Sequence, residues 1–173
     1  MKKTTFAYIA GIMDGEGHFT IARTKRPGSK EGSTSLHYTA MLGVTNTYLP
    51  LIKHLIKALG GTYYISRDNG KDKTLYKWVV NNNKSREKVL LAVLPYLFEK
   101  RNQAKLLLHF VRLDGVANPA LREAIFREMQ TLHGKGIVET NTSNIDRDVV
   151  KIESELVSDN ESVPVVTQVP LKD

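Results

Sequence analysis

Asp14 and Glu16 stand in the run "IAGIMDGEG", residues 9–17, at the point where small and apolar side chains with helical spacing from Phe6 onward predict a helix ending at Glu16. The last carbonyls of a helix carry a partial negative charge, so carboxylates there are unfavourable without compensation. Gly11, inside the same helix, costs about 1 kcal/mol against alanine. With Ala7 and Gly15 it recurs every fourth residue, and Ala10 adjoins them, so one helix face has almost no side chains. Such a face admits another backbone at close range. A twofold contact needs only one self-complementary patch, so a second copy of the chain is the natural partner. The expected homodimer surface is Ala7, Ala10, Gly11 and Asp14. Glu16 and its copy would then converge with two helix ends, where a divalent cation such as Mg²⁺ is the fitting compensation for hard oxygen donors. With phosphate oxygens as the remaining ligands, the reaction class is metal-assisted phosphodiester hydrolysis.

Each of these residues also has a plainer reading. Asp14 is suited to hydrogen-bonding around the helix end. The "DGEGHF" stretch lacks the oxygen spacing and distal glutamate of a calcium loop. His18 could touch phosphate or solvent, or be a polar residue at a strand start. His54, His109 and His133 fall on separate helices without ligand spacing, and the absence of cysteine removes thiolate zinc sites, disulfides and a cysteine nucleophile.

The elements that must position the carboxylates follow from hydrophobic pattern. "HFTIARTKR" predicts a strand that Pro27 and Gly28 end, and "LHYTAMLGVTN" a second, with Leu36, Tyr38, Ala40, Leu42 and Val44 on one face. "LPLIKHLIKALGG" is an amphipathic helix with a glycine stop. "TYYISRD" and "TLYKWVV" form a hairpin around Asn69-Gly70, with Trp78 and Val80 inward alongside Tyr76. "NNNKSREKVLLAVL" is a capped helix that Pro95 ends, and "LFEKRNQAKLLLHFVRL" and "PALREAIFREMQTLH" are further helices. This is an α+β pattern with antiparallel hairpins. Residues 1–136 read as one domain, and 137–173 as an acidic, disordered or loosely packed tail.

The net charge of +7 is unevenly spread: from Gly134 onward four Lys/Arg face eight acids, a net −4, which leaves +11 on the preceding residues. A body so basic suits a polyanionic partner as well as a merely soluble surface. No apolar run approaches the roughly 20 residues of a membrane span. The basic start "MKKTTF" has too short an apolar stretch for a secretion signal, and the expected location is intracellular.

The motif at residues 9–17 resembles the LAGLIDADG signature, and the order of elements resembles the αββαββα core of the LAGLIDADG homing endonucleases. The likeness spans roughly residues 6–133 and continues in "VTN", "SRDNG" and "LPYLFEKRNQAKLLL". "LDGVAN" lacks the helix and second acid of another motif, and single-motif members of the family are homodimers. The resemblance implies site-specific double-strand cleavage of DNA at a long, roughly palindromic site by an element of intron or intein type, with Mg²⁺ or Mn²⁺ as cofactor and Ca²⁺ supporting binding without cleavage. It implies Glu16 as catalytic acid and metal ligand with the Gly15 carbonyl, Lys100 beside the scissile phosphate, and Asn46 as an organiser of water; Asn46 is equally suited to capping the next helix. A further basic residue of some members has no match at Tyr48 to Leu51. The alternative is an intron maturase or a non-cleaving nucleic-acid-binding relative.

Bases would be read from the sheet, since a twisted antiparallel ribbon fits the major groove. The positions expected to face double-stranded DNA are Thr20, Thr24 and Arg26 on the first strand, His37 and Thr39 on the second, and Arg67, Asn69, Lys73 and Lys77 on the hairpin.

Overall fold

Alternate residues of the second strand decide how the layers stack. Tyr38, Ala40, Leu42 and Val44 are buried, while His37, Thr39 and Met41 on the opposite face retain exposure. In the computed structural model, which describes residues 3–27, 34–68, 70, 73–113 and 118–134, the inward side chains meet a layer of helices. The elements are α1 (Lys3–Glu16), β1 (Gly17–Pro27), β2 (Thr34–Asn46), α2 (Leu49–Leu59), β3 (Thr62–Arg67), β4 (Leu75–Val79), α3 (Asn83–Val93), a 3-10 turn (Leu94–Tyr96), α4 (Arg101–Arg112) and α5 (Pro119–Leu132). The expected α+β order is therefore present. All these residues fall within the unit Met1–Val138; the acidic tail expected at 137–173 lies outside the described residues.

The strands form a four-stranded antiparallel sheet in the order β1-β2-β4-β3. β1 and β2 make the long ribbon, paired from Gly17↔Val44 to Pro27↔Thr34. β2 then pairs with β4 over only Gly43↔Val79 to Asn46↔Tyr76. Trp78 is fully buried beneath β4, and its indole N–H donates to the Gly60 carbonyl at 2.8 Å, so the largest core side chain leaves no orphaned donor. Asn82 caps α3 by accepting from the Ser85 N–H at 2.8 Å, and Asn118 caps α5 by accepting from Leu121 at 3.0 Å.

Four details differ from expectation, the first being that α4 begins at Arg101 and not at Leu97. Helix α1 opens at Lys3, three residues before Phe6. Leu36 is 49% exposed although it shares the inward parity of β2, because the ribbon runs out past the helices there. Ala10 is fully buried in the chain's own core beside Ile9 and Met13, so it is not on the small-residue face; the exposed residues there are Ala7, Gly11 and Gly15.

Candidate active site

The helix-to-strand junction fixes the carboxylate. α1 ends at Glu16 and β1 begins at Gly17 with no loop between. A side chain at Gly17 would collide with the Met13 carbonyl oxygen and lie 2.9 Å from the Met13 Cα. Glycine is therefore required for the chain to turn off the helix so sharply, and Gly15 and Glu16 are left exposed at the corner.

Both electrostatic difficulties of that helix end are met from one turn 84 to 86 residues away. Asp14 turns its carboxylate to the start of α4: Oδ2 accepts from the Phe98 N–H at 2.9 Å and Oδ1 from the Lys100 N–H at 3.0 Å. A negative charge at a helix N-terminus is favourable, which reverses its penalty at the end of α1. Lys100 occupies the N-cap position of α4 and sends its ammonium back to α1. Nζ donates to the carbonyl oxygens of Gly17 at 2.8 Å, Gly15 at 3.3 Å and Met13 at 3.4 Å. Asp14 thus holds the backbone of Lys100, and Lys100 neutralises the carbonyls beside Glu16. Asp14, expected at a dimer surface, has this role within the chain.

Asn46 lies at the end of β2, and its Oδ1 accepts from the Tyr48 N–H at 2.8 Å, an Asx turn. The N-cap of α2 is Tyr48, which corrects the reading of Asn46 as that helix's cap. With Oδ1 engaged, its amide N–H groups are the donors left for other partners.

His18 is more covered than a polar residue at a strand start was expected to be. It pairs with Gly43, and a Cβ at Gly43 would come within 2.6 Å of its Cε1. Its ring therefore lies across β2 through the space that a side chain would fill, and its Nε2 is covered without a hydrogen-bond partner among the described residues. Burial first, then the positive charges of Lys77 and Lys100, push its pKa down to about 4, so the imidazole is neutral at physiological pH. The signal was legible as a glycine inside a strand, which marks close approach of another group.

Donor chemistry at the corner suits a hard cation: an exposed carboxylate on Glu16 and the Gly15 carbonyl are both oxygen ligands. Among the described residues no group of three or more His, Cys, Asp or Glu could hold a metal ion.

On the sheet, the register puts Thr20, Thr24 and Arg26 of β1 and His37 and Thr39 of β2 on the face opposite the core, with Thr24 opposite His37 and Thr39 opposite Ala22. Lys77 joins them, paired with Thr45 and Tyr64. A bulge between Ile65 and Arg67 brings Arg67 opposite Leu75 and onto the same face as Lys77. Lys73 is exposed just before β4, while Asn69 lies outside the described residues. No helix among the described residues is long and apolar enough to cross a membrane.

The LAGLIDADG endonuclease family model matches residues 9–107. Among solved structures, the homing endonuclease I-CvuI, in complex with the I-CreI target in the presence of Mg, is 23% identical, superposes with a TM-score of 0.62, and is covered over 88% of this chain and 96% of that one. The archaeal intron-encoded homing endonuclease I-Vdi141I, complexed with DNA, is 16% identical with a TM-score of 0.62, covering 89% of this chain and 99% of that one. I-SmaMI, bound to an uncleaved DNA target in the presence of calcium ions, is 19% identical with a TM-score of 0.59; 84% of this chain matches 49% of it. No curated protein matches the sequence. Matched over more than half its length, including the motif that ends α1, the chain belongs to the LAGLIDADG endonuclease family.

Proposed function

We propose that the chain is a homodimeric, divalent-metal-dependent endonuclease that makes a double-strand break at a long, roughly palindromic DNA site. The observation that carries the reading is the corner where α1 meets β1: Glu16 is exposed beside the Gly15 carbonyl, and the Lys100 ammonium is 3.3 Å from that same oxygen. A carboxylate, a carbonyl and an ammonium within one such corner can hold a cation and a phosphate together.

Glu16 and Gly15 would hold Mg²⁺ or Mn²⁺, which when bound supplies Lewis-acid stabilisation of the phosphate and an activated water. Lys100 stabilises charge that develops on the phosphate, a positioned donor of the kind that matters most in transition states. Asn46 orients solvent through its amide N–H groups. The uncovered sheet face, with Thr20, Thr24, Arg26, His37, Thr39, Arg67, Lys73 and Lys77, enters the major groove, and Asn69, outside the described residues, is assigned to the same set from the sequence. Ala7 and Gly11 face the same helix of a second copy across a twofold axis, which brings two Glu16 side chains together. A palindromic site follows from that symmetry. Glu16 and Lys100 together favour the nuclease over a maturase or a binding-only relative, neither of which needs both.

Incubation of a randomised duplex library with Mg²⁺, and separately with Ca²⁺, tests the reading. Cleavage at one long sequence in Mg²⁺ and binding without cleavage in Ca²⁺ are expected. Binding of duplex without cutting in any divalent metal would support the non-cleaving relative, and preference for intron RNA would support the maturase.

A further inference from the structure

The uncovered sheet face is not uniformly polar. Arg26 and His37 lie toward the far end of the β1–β2 ribbon, and Arg67, Lys73 and Lys77 lie on the hairpin side. Between them Thr20 pairs with Met41, Ala22 with Thr39, and Gly43 with Val79, so Ala22, Met41 and Val79 are near neighbours on three adjacent strands. β4 ends at Val79, with one more hydrogen bond from the Val80 N–H to the Leu42 carbonyl, and alongside β2 beyond it opens a cavity of ≈ 380 Å³ whose lining includes His18, Ala22, Thr39, Met41, Tyr64 and Val79. Its sheet-facing wall is largely apolar, and Ala22, Met41 and Val79 are each only partly covered.

An apolar patch set between cations has a specific complement. The flanking lysines and arginines suit phosphates on either side, which fixes the occupant as a nucleic acid groove rather than a lipid or an apolar peptide. Within the major groove the apolar feature on base edges is the C5-methyl group of thymine, which 5-methylcytosine shares. Polar groups share the cavity wall, His18, Thr39, Asn81 and Arg86 among them, while Ala22, Met41 and Val79 give the apolar part of it.

We propose that Met41 and Val79, with the room left by Ala22, read thymine C5-methyl groups at one or two base pairs of each half-site, inboard of the positions that face Arg26 and Arg67. The inference rests on the reading that this face meets duplex DNA. It makes pyrimidine methylation a determinant of affinity, so that cytosine methylated at C5 substitutes for thymine there better than cytosine does.

The test uses the full chain, Ca²⁺, and the duplex selected from the library, with each thymine of the half-site replaced singly by deoxyuridine. One or two inboard positions should lose about fourfold in affinity, the value of about one methyl withdrawn from an apolar surface. Cytosine at those positions should bind about fourfold more weakly than 5-methylcytosine. Val79→Thr, which keeps the shape, and Met41→Ser, on the partly exposed face, should each shrink the thymine-to-uracil ratio toward one while leaving the uracil duplex bound as before. A ratio of one at every thymine, or selected half-sites without thymine at inboard positions, overturns the proposal while DNA binding stands. A ratio unchanged in both variants assigns the methyl effect to the DNA and also overturns it. Failure to bind any duplex removes the underlying reading as well.

Discussion

Six residues along the β1–β2 ribbon from its start at Gly17, Glu123 of α5 accepts from Arg23 Nη1 at 2.9 Å and Arg127 Nε at 2.8 Å, and the Tyr38 hydroxyl donates to its other oxygen. Arg23 also stacks over the Phe126 ring at 4.7 Å. At the near end, Glu16 is exposed, and among the described residues no ion pair involves it. Both places hold a glutamate and basic side chains, yet the cations go to different partners. Arg23 and Arg127 satisfy the carboxylate, which holds α5 against the sheet. Lys100 donates to backbone carbonyls rather than to the Glu16 carboxylate. The matched glutamate ties helix to sheet; the unmatched one is the charge on which the proposed metal site rests.

The largest effect should come from removing the unmatched charge. Glu16→Gln keeps size and exposure but loses the negative charge on which metal binding depends, so single-turnover cleavage should fall by about a thousandfold or more while affinity in Ca²⁺ changes little. Because the side chain is exposed, thermal stability should stay near that of the parent. Mg²⁺-dependent cutting at the parent rate would remove Glu16 from the mechanism.

Lys100 ranks next, because it serves both the helix end and the proposed phosphate. Lys100→Met should slow cleavage of bound DNA by about a hundredfold, typical of losing one positioned donor to a transition state. It should also cost about 1 kcal/mol of stability from the carbonyls left without their donor. Lys73→Ala and Lys77→Ala should instead weaken binding and lower its salt slope by about one unit for each phosphate no longer neutralised. Weaker binding in Lys100→Met with an unchanged single-turnover rate would make Lys100 a docking residue.

Gly11 offers a comparison of a different kind, between a protomer and its assembly. A Cβ there meets nothing within 4 Å in the chain itself, so the fold has no need of glycine at that position. Gly11→Leu should therefore leave the protomer folded, with a slight gain in helix propensity. The expected cost falls on the second copy: sedimentation should show a dimer for the parent and a monomer or a weaker dimer for the variant. A parent that stays monomeric at micromolar concentration, with and without DNA, would refute the twofold arrangement.

The order of elements was legible because each rests on local signals: alternation in β2, the asparagine cap of α3, the turn residues of the hairpin. The helix end at Glu16 and the strand that follows it were legible for the same reason. What escaped depends on contacts distant in sequence. The segment from Leu97 looks helical by composition, yet α4 begins only at Arg101, since the backbone N–H groups of Phe98 and Lys100 point to Asp14. Ala10 belongs by spacing to the small-residue face, but it packs into the core because α1 lies against both α3 and the sheet. His18 needed the pairing with Gly43 before its ring could be placed.

The smallest effect should appear at the matched glutamate, and only in acid. The hydrogen bond from Tyr38, then those from Arg127 and Arg23, hold Glu123 down at about 2, against an ordinary glutamate value of 4.5. The folded chain therefore keeps this carboxylate ionised where the unfolded chain has protonated it. Stability from the cluster is present above about pH 4.5 and is lost as pH falls from there toward 2, because the unfolded state binds the additional proton in that window. Glu123→Gln removes the titration and weakens three donors' interactions, so at neutral pH it should lower stability by about 1–2 kcal/mol. Its denaturation midpoint should also decline less steeply than the parent's on acidification below pH 4.5. Single-turnover cleavage should be unchanged at neutral pH, since the cluster sits six strand residues, about 20 Å, from the corner at Gly17. Equal acid slopes in parent and variant would show that Glu123 is not held ionised by its partners, and the contrast between the two glutamates would fail.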